Sequence, residues 1–263
     1  MSPTGRAAPR APSQARRPRV LIVTPEFPPQ PGGIGTHCYE MAKHWSATCD
    51  VTVLAPAAGG AARGPDGSVT VVELPAAPGR ARRVWRTGRV LRRLLAAGDF
   101  DVAYVAHWRS SGVALRLAST GLRRRPRYVQ AVHGGEVLYL LAASTGRWRP
   151  LHRLLFGWTV AGASRLIALG EHQAGLLARL GIGPGRVFVS PEGVDARAFE
   201  AGVDGLPAEL ARRHGLERRR VVLTVARLVP HKGHDMVIRA LPRVLARVPD
   251  AAYLVVGSGP AEP

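Results

Sequence analysis

The chain has 263 residues, enough for one large domain or for one domain and part of another. Its hydrophobic fraction of 46% supports a core, yet no apolar run reaches the roughly 18 residues that span a membrane, so a soluble protein is expected. The 37 Lys and Arg against 18 Asp and Glu give a formal charge of +19, but no zinc-finger spacing, heptad pattern or aromatic RNA-binding signature accompanies it, and nucleic-acid binding is disfavoured.

The first segment, residues 1–18, is a basic tail that we expect to be disordered. It lacks the apolar h-region of a signal peptide, because the run "VLIV" that follows is interrupted by "TPEFPP". The two cysteines, Cys38 and Cys49, have no C-x-x-C spacing and predict free thiols in a reducing compartment. A cytoplasmic location is therefore expected. A peripheral position at the inner face of the membrane is the second expectation, because arginine-rich helices can lie on anionic lipid heads.

From Arg19 onward, short apolar runs alternate with helical patterns, which predicts a parallel sheet covered by helices. The predicted strands are, in order, "RVLIVT", "DVTVLAP", "VTVVEL", "DVAYVAH", "YVQAVH", "RLIALG" and "RVFVSPEGVD". The predicted helices are "IGTHCYEMAKHW", residues 84–97, 111–119 and 150–162, and "EHQAGLLARLG". The fold class is therefore α/β, with a complete Rossmann-type domain over residues 19–197.

A second domain is predicted from residue 198 to residue 263. Strand "RVVLTVA", a helical pattern interrupted by Pro242, and strand "AAYLVVG" make one β-α-β unit. This segment is shorter than the roughly 100 residues that a doubly wound domain needs to cover its sheet. We therefore expect an incomplete domain in a truncated sequence, with an exposed apolar strand edge.

The stretch "TPEFPPQPGGIGTH" follows the first strand and opens the first helix. In open α/β sheets this position faces the ligand crevice, and Gly32 and Gly33 would let backbone N–H groups approach a phosphate. The spacing does not match the dinucleotide pattern G-x-G-x-x-G. A plain turn is an equally good interpretation of this stretch taken alone.

Histidines end two of the predicted strands. His133 follows "YVQAV" and precedes two glycines, a position from which it could reach a sugar hydroxyl or a transferring group. His107 ends the neighbouring strand and is the weaker candidate. His231 and His234 lie three residues apart, but too few further ligands accompany them to predict a metal site.

The stretch "ARLVPHKG" places Arg227 after a strand and Lys232 before a helix. An arginine fork, a compact lysine charge and the partial positive charge of a helix terminus all favour an anion. Two solvated basic residues in a basic protein are the alternative interpretation.

Together the loop "PPQPGGIG", His133, the hinge "VSPEGVDARAF", "ARLVPHKG" and "VVGSGP" resemble the family 4 glycosyltransferases of the GT-B fold, along residues 19–263. The resemblance implies two Rossmann-type domains, the first for the acceptor and the second for a UDP-, GDP- or similar nucleotide-sugar donor. It implies that Arg227 and Lys232 bind and stabilise the donor diphosphate, that Gly32 and Gly33 approach the donor phosphate, and that His133 contacts the transferred sugar. Transfer with retention, without a cofactor or metal, to a sugar, a lipid-linked or a small-molecule acceptor is also implied.

Two departures from the family pattern stand out. Glu192 occupies the hinge position where many relatives have asparagine, and the two glutamates that such enzymes carry later in the second domain have no counterpart before Pro263. We therefore expect little transferase activity from this chain alone. A phosphorylase-like enzyme or a sugar-phosphate transferase on the same fold is one rival hypothesis, and a basic module that binds membranes or nucleic acid without catalysis is another.

Overall fold

A computed structural model describes residues 16–57, 64, 67–75, 77–141, 149–197 and 208–260. The chain divides into two compact units, residues 1–193 (unit 1) and residues 194–263 (unit 2). Most of the predicted basic tail, residues 1–15, lies outside the described residues, as do residues 198–207 at the predicted start of the second domain. No described helix is both long enough and apolar enough to cross a membrane.

Unit 1 is built on a seven-stranded sheet in which every pair of neighbouring strands is parallel, in the order β3-β2-β1-β4-β5-β6-β7. Its strands are β1 (Arg19–Val23), β2 (Asp50–Pro56), β3 (Thr70–Leu74), β4 (Val102–Val105), β5 (Arg127–Val132), β6 (Arg165–Ala168) and β7 (Val187–Val189). Its helices are α1 (Gly33–Trp45), α2 (Arg80–Ala97), α3 (Val113–Ser119), α4 (Gly134–Leu141), α5 (Arg149–Gly162) and α6 (Glu171–Arg179). The α/β prediction and all seven predicted strands are confirmed.

Both faces of this sheet are buried. Along β1, Val20 and Ile22 pack on the side of α1, whereas Leu21 and Val23 pack on the opposite side. Successive side chains of a strand point to opposite faces of the sheet, and here each face is covered by a separate core. The strands are therefore continuous apolar runs rather than alternating ones. On α1, the predicted inner face is confirmed, since Cys38 is fully buried there.

Two helical segments were not predicted. Helix α4 begins at Gly134, directly after His133, in a stretch for which no helix was predicted. A π-helical turn, Trp108–Gly112, precedes α3, and the backbone N–H groups of Ser111 and Gly112 both donate to the carbonyl of His107. Such turns are rare and occur often at functional sites. The strand predicted through residue 195 ends at Val189.

Unit 2 contains helix α7 (Ala208–Arg213), strand β8 (Arg220–Val225), helix α8 (His234–Leu245) and strand β9 (Ala251–Val256). The two strands are parallel, which confirms the predicted β-α-β unit. Helix α8 continues past Pro242, although proline has no N–H to donate at that turn. Within the described part of this unit, apolar side chains such as Val225 and Met236 are exposed.

Candidate active site

The residues of unit 1 that could take part in binding or catalysis lie at one edge of the sheet. Because all seven strands are parallel, the segments that follow β1, β4, β5 and β7 meet at the carboxyl edge. Strands β1 and β4 are neighbours in space but not in sequence. This is the point where the strand order reverses, and crevices for ligands form there in open α/β sheets.

At the start of α1, a carboxylate of the protein already occupies the helix terminus. Glu26 Oε1 accepts hydrogen bonds from the backbone N–H groups of Ile34, at 2.9 Å, and Gly35, at 3.2 Å. A Cβ atom at Gly32 would overlap the Glu26 carboxylate, whereas one at Gly33 would meet no atom within 4 Å. A side chain at Gly32 would therefore displace the Glu26 carboxylate, whereas the surroundings of Gly33 leave room for a ligand.

His37, on α1, links this helix to two other elements. Its Nε2 lies 2.7 Å from the hydroxyl of Tyr104, and its Nδ1 lies 3.2 Å from Glu192 Oε1. Burial lowers the pKa of His37, although the charge of Glu192 opposes the shift. A neutral imidazole satisfies both contacts when Tyr104 donates to Nε2 and the Nδ1–H donates to Glu192. Glu192, the hinge residue that the sequence analysis marked as a departure, therefore has a partner in His37.

The strand-end histidine His133 lies beside His37, with ring centroids 6.1 Å apart. Burial lowers its pKa, and the nearby His37 lowers it further, so its ring is neutral at neutral pH. Its Nε2 atom is buried and has no hydrogen-bond partner among the described residues. A buried ring nitrogen without a partner is what a ligand hydroxyl would satisfy.

His107 follows β4 and meets a buried acid. Its Nε2 lies 3.1 Å from Glu136 Oε2, and the Glu136 side chain is only 6% exposed. The other carboxyl oxygen, Oε1, accepts the backbone N–H of His133 at 3.1 Å. Burial raises the pKa of Glu136 to about 8 and lowers that of His107 to about 4. Despite the short distance, the pair is therefore uncharged at neutral pH.

A cavity of about 480 Å³ opens on the carboxyl side of β1 to β4. It is lined by residues of the strand ends, of the first turns of α2 and of the π-helical turn. They are Thr24, Pro25, Gln30, Pro56, Ala57, Leu74, Pro75, Ala77, Arg80, Arg83, Arg86, Thr87, His107, Arg109, Ser110 and Ser111. Its volume is in the range of small-molecule sites.

In unit 2, the two predicted anion-binding residues lie at the carboxyl end of β8. Arg227 follows the strand by two residues, and Lys232 ends a 3₁₀ turn, Pro230–Lys232, just before α8. His234 holds this segment, since its Nε2 lies 3.2 Å from the Arg227 carbonyl oxygen. The side chains of Arg227 and Lys232 are exposed and make no ion pair in the described part of the chain.

The glycines of "VVGSGP" have a packing reason. A Cβ at Gly257 would overlap the carbonyl of Ala226, and one at Gly259 would overlap the carbonyl of Leu228. Leu228 in turn donates its backbone N–H to the carbonyl of Ser258, at 2.9 Å. The downstream glycines thus let the two strand-end loops run side by side and fix the backbone on either side of Arg227.

Sequence reasoning selected Gly32, Gly33, His133, Arg227 and Lys232, and the roles given to them stay predictions. It missed others: Glu26, His37, Glu136 and the arginines of the cavity. The position of Glu136, three residues after a strand-end histidine, could have marked it as a candidate site residue. The arginines were hidden because arginine is abundant along the whole chain.

Two family models match this chain, one mainly in unit 1 and the other in unit 2. A model of Glycosyltransferase Family 4 matches residues 31–198, and a model of glycosyl transferases group 1 matches residues 208–262.

Two mycobacterial proteins are similar along most of the chain. The GDP-mannose-dependent alpha-(1-6)-phosphatidylinositol monomannoside mannosyltransferase of Mycolicibacterium smegmatis is 31% identical over 254 residues, covering 92% of this chain and 61% of that protein. The phosphatidyl-myo-inositol mannosyltransferase of Mycobacterium tuberculosis is 29% identical over 254 residues, covering 93% of this chain and 61% of that protein. The chain thus spans about three fifths of the length of these curated relatives.

Solved structures share the fold at low sequence identity. Anabaena HepE in complex with UDP and glucose matches with a TM-score of 0.65 and 19% identity, over 91% of this chain and 61% of that one. An Escherichia coli trehalose-6-phosphate structure bound with UDP-2-fluoro glucose matches with a TM-score of 0.62 and 13% identity, over 92% of this chain and 65% of that one.

Proposed function

Because the chain belongs to glycosyltransferase family 4 and has the α/β fold class of the GT-B enzymes, we propose that it transfers a sugar from a nucleotide-diphosphate sugar to an acceptor. The observation that carries this proposal is the pair Arg227 and Lys232, two exposed cations in the segment between β8 and α8, without a carboxylate partner in the described chain. A leaving diphosphate gains negative charge during transfer, and an arginine fork, a lysine and a helix terminus stabilise such charge.

The donor is GDP-mannose and the acceptor a phosphatidylinositol-type lipid in this proposal. The support is the pair of relatives, both of them mannosyltransferases named for phosphatidylinositol acceptors, that are similar over more than nine tenths of the chain. Two solved structures with a similar fold contain UDP ligands, so UDP-glucose is the second donor to be tested.

His133 contacts the transferred sugar. Its neutral, buried ring offers Nε2 as an acceptor for a sugar hydroxyl. Gly33 approaches the donor phosphate, since a side chain there is absent and the space beside it is open. We extend the proposal to retention of the anomeric configuration and to charge neutralisation by Arg227 and Lys232 in place of a metal ion.

A peripheral contact with anionic lipid belongs to the same proposal. The outward face of α2 carries Arg82, Trp85, Arg89 and Arg93, all exposed, with the Arg89 guanidinium 4.8 Å from the centre of the Trp85 ring. A tryptophan among arginines suits the boundary between lipid heads and acyl chains. The cytoplasmic side of a membrane would then be the place of reaction.

The test is a transfer assay with defined donors. Purified protein is incubated with labelled GDP-mannose or UDP-glucose and with vesicles that contain phosphatidylinositol, and the label in the extracted lipid is counted. We expect mannosylated lipid from GDP-mannose in a small yield above background, with an α-linkage visible by NMR. Absence of labelled lipid together with absence of donor binding would refute the proposal, and donor binding that high salt abolishes would favour the basic-module alternative.

A further inference from the structure

His37 connects three separate parts of unit 1. It lies on α1, and its two polar contacts come from β4 and from the stretch that follows β7. The Tyr104 hydroxyl is 2.7 Å from its Nε2, and Glu192 Oε1 is 3.2 Å from its Nδ1. Because the His37 side chain is only 13% exposed, protein groups rather than water satisfy both ring nitrogens.

Glu192 determines which nitrogen of His37 carries the proton. A carboxylate accepts hydrogen bonds and has none to donate, so a neutral His37 must donate from Nδ1 and accept the Tyr104 O–H at Nε2. Glu192 directly precedes Gly193, the residue at which unit 1 ends. The Nδ1 contact therefore attaches the end of unit 1 to α1.

His37 also faces His133, the histidine assigned above to the transferred sugar. The two rings meet edge to face, at 86° and with centroids 6.1 Å apart. A hydrogen bond with the Ala106 backbone raises the pKa of His133, so the ring must be the donor, since a donated bond stabilises the charged form. Nε2 of His133 has no partner among the described residues, so the donor is Nδ1 and Nε2 remains an acceptor.

The charged groups around the two histidines act in opposite directions. Charge on His37 lowers the pKa of His133, whereas the carboxylates of Glu192 and Glu26 raise it. Glu192 also raises the pKa of His37, against the larger effect of burial. Two further titratable groups beside α1 stay protonated and uncharged because burial raises their pKa; they are Cys38 and Tyr104. The charge state of His133 therefore depends on His37 and Glu192 as well as on its own burial.

We propose that His37 is a positioning residue for sugar transfer. Through Nδ1 it holds Glu192 against α1, and through its ring it holds His133 in the orientation in which Nε2 accepts a sugar hydroxyl. This role rests on the transferase function and on the role of His133 proposed above. The coupling between the two histidines rests only on their contact, and it can be measured in the absence of donor and acceptor.

The first experiment measures the pKa of His133 in the protein without substrates. Protein with isotope-labelled histidine is titrated by NMR, and the Cε1–H resonance of His133 is identified by its absence from His133→Ala. We expect the pKa of His133 to rise in His37→Asn, which removes a positive charge, and to fall in Glu192→Ala, which removes a negative one. His44→Asn, at an exposed position of the same helix, is the matched control and should leave this pKa unchanged. An unchanged pKa in either test variant, or an equal change in the control, would overturn the proposal.

The second experiment separates turnover from donor binding. His37→Phe keeps a flat ring but loses both nitrogens, and we expect it to lower kcat on the order of tenfold or more because His133 is misplaced. Affinity for GDP alone, measured by calorimetry, should stay within about threefold of wild type, since Arg227 and Lys232 belong to unit 2. His44→Phe is the matched control and should leave kcat unchanged. Thermal unfolding verifies that both variants are folded.

Glu192→Ala keeps the test valid if His37→Phe does not fold, because the Glu192 side chain is half-exposed and its loss disturbs little packing. It should also lower kcat, and full kcat in Glu192→Ala or in a folded His37→Phe would overturn the positioning role. A wild-type protein that transfers no sugar but shows the two opposite pKa changes would refute the transferase function and leave the coupling standing. A wild-type protein that transfers sugar while His133 keeps its pKa in both variants would support the function and refute this inference.

Discussion

Glu26 and Ile34 meet at the start of α1, where Glu26 Oε1 accepts the backbone N–H of Ile34 with 2.9 Å between the two atoms. The helix terminus that the glycine loop marked as a phosphate site is thus capped by a carboxylate of the protein itself. Loss of this cap in Glu26→Ala is expected to lower the free energy of unfolding by about 1 kcal/mol. The measurement is urea unfolding followed by circular dichroism.

The matched control for that variant is Glu40→Ala on the same helix. Glu40 Oε2 lies 3.6 Å from Lys43 Nζ and 3.9 Å from His44 Nε2, both at the surface, so a loss below about 0.5 kcal/mol is expected. A loss from Glu26→Ala no larger than that from Glu40→Ala would contradict the capping role.

The two glycines of the same loop should respond differently to alanine. Gly32→Ala forces the Glu26 carboxylate aside and is expected to destabilise unit 1, while Gly33→Ala meets open space and should leave stability within about 0.5 kcal/mol of wild type. If Gly33 approaches the donor phosphate, its variant weakens donor binding without loss of stability. Equilibrium dialysis with labelled GDP-mannose separates the two effects.

Arg227 and Lys232 should each be needed for donor binding. Replacing either with alanine removes one charge-assisted hydrogen bond and is expected to weaken GDP-mannose binding by about tenfold or more. The control is Arg243→Ala, an exposed residue in the last turn of α8. Unchanged affinity in Lys232→Ala, or an equal loss in the control, would remove the diphosphate role from this pair.

His133 should matter for turnover more than for folding. His133→Ala removes the unpartnered Nε2 and is expected to lower kcat/KM for sugar transfer on the order of tenfold to a hundredfold. His44→Ala serves as the control, since the His44 side chain is 66% exposed. Full activity of the His133 variant would show that this histidine is structural.

The buried acid Glu136 predicts a pH dependence of stability. Its pKa is about 8 in the folded protein and near 4.5 when exposed, so folding favours the protonated form. The stability it contributes is present below about pH 4.5 and is lost as the pH rises through 8, with a slope of up to about 1.4 kcal/mol per pH unit. Buried histidines such as His107 titrate in the opposite sense.

Comparison of wild type with Glu136→Gln isolates this contribution. We expect Glu136→Gln to lower the free energy of unfolding, measured against wild type at the same pH, more at pH 5 than at pH 8. Urea unfolding at several pH values measures the difference, and a difference independent of pH would show that Glu136 is ionised throughout this range.

Sequence patterns were sufficient for the sheet because its strands are buried on both faces, and burial of that kind leaves continuous apolar runs such as "VLIV". They missed α4, which begins with Gly134 and Gly135, since glycine is a poor helix former. They also overextended β7, whose pairing with β6 stops at Val189, before the stretch "SPEGVD" that the prediction had included.

The sequence by itself determined which segments along the chain are strands, the α/β class and the residues that follow the strand ends. These features depend on local periodicity and turn chemistry. Only the tertiary structure decided which strand ends are neighbours. It brought Glu136 to His107 and Glu192 to His37, contacts that depend on the order of the strands within the sheet and on burial rather than on spacing along the chain. The sequence could show that Glu136 is acidic, but only its burial beside His107 gives it a pKa of about 8.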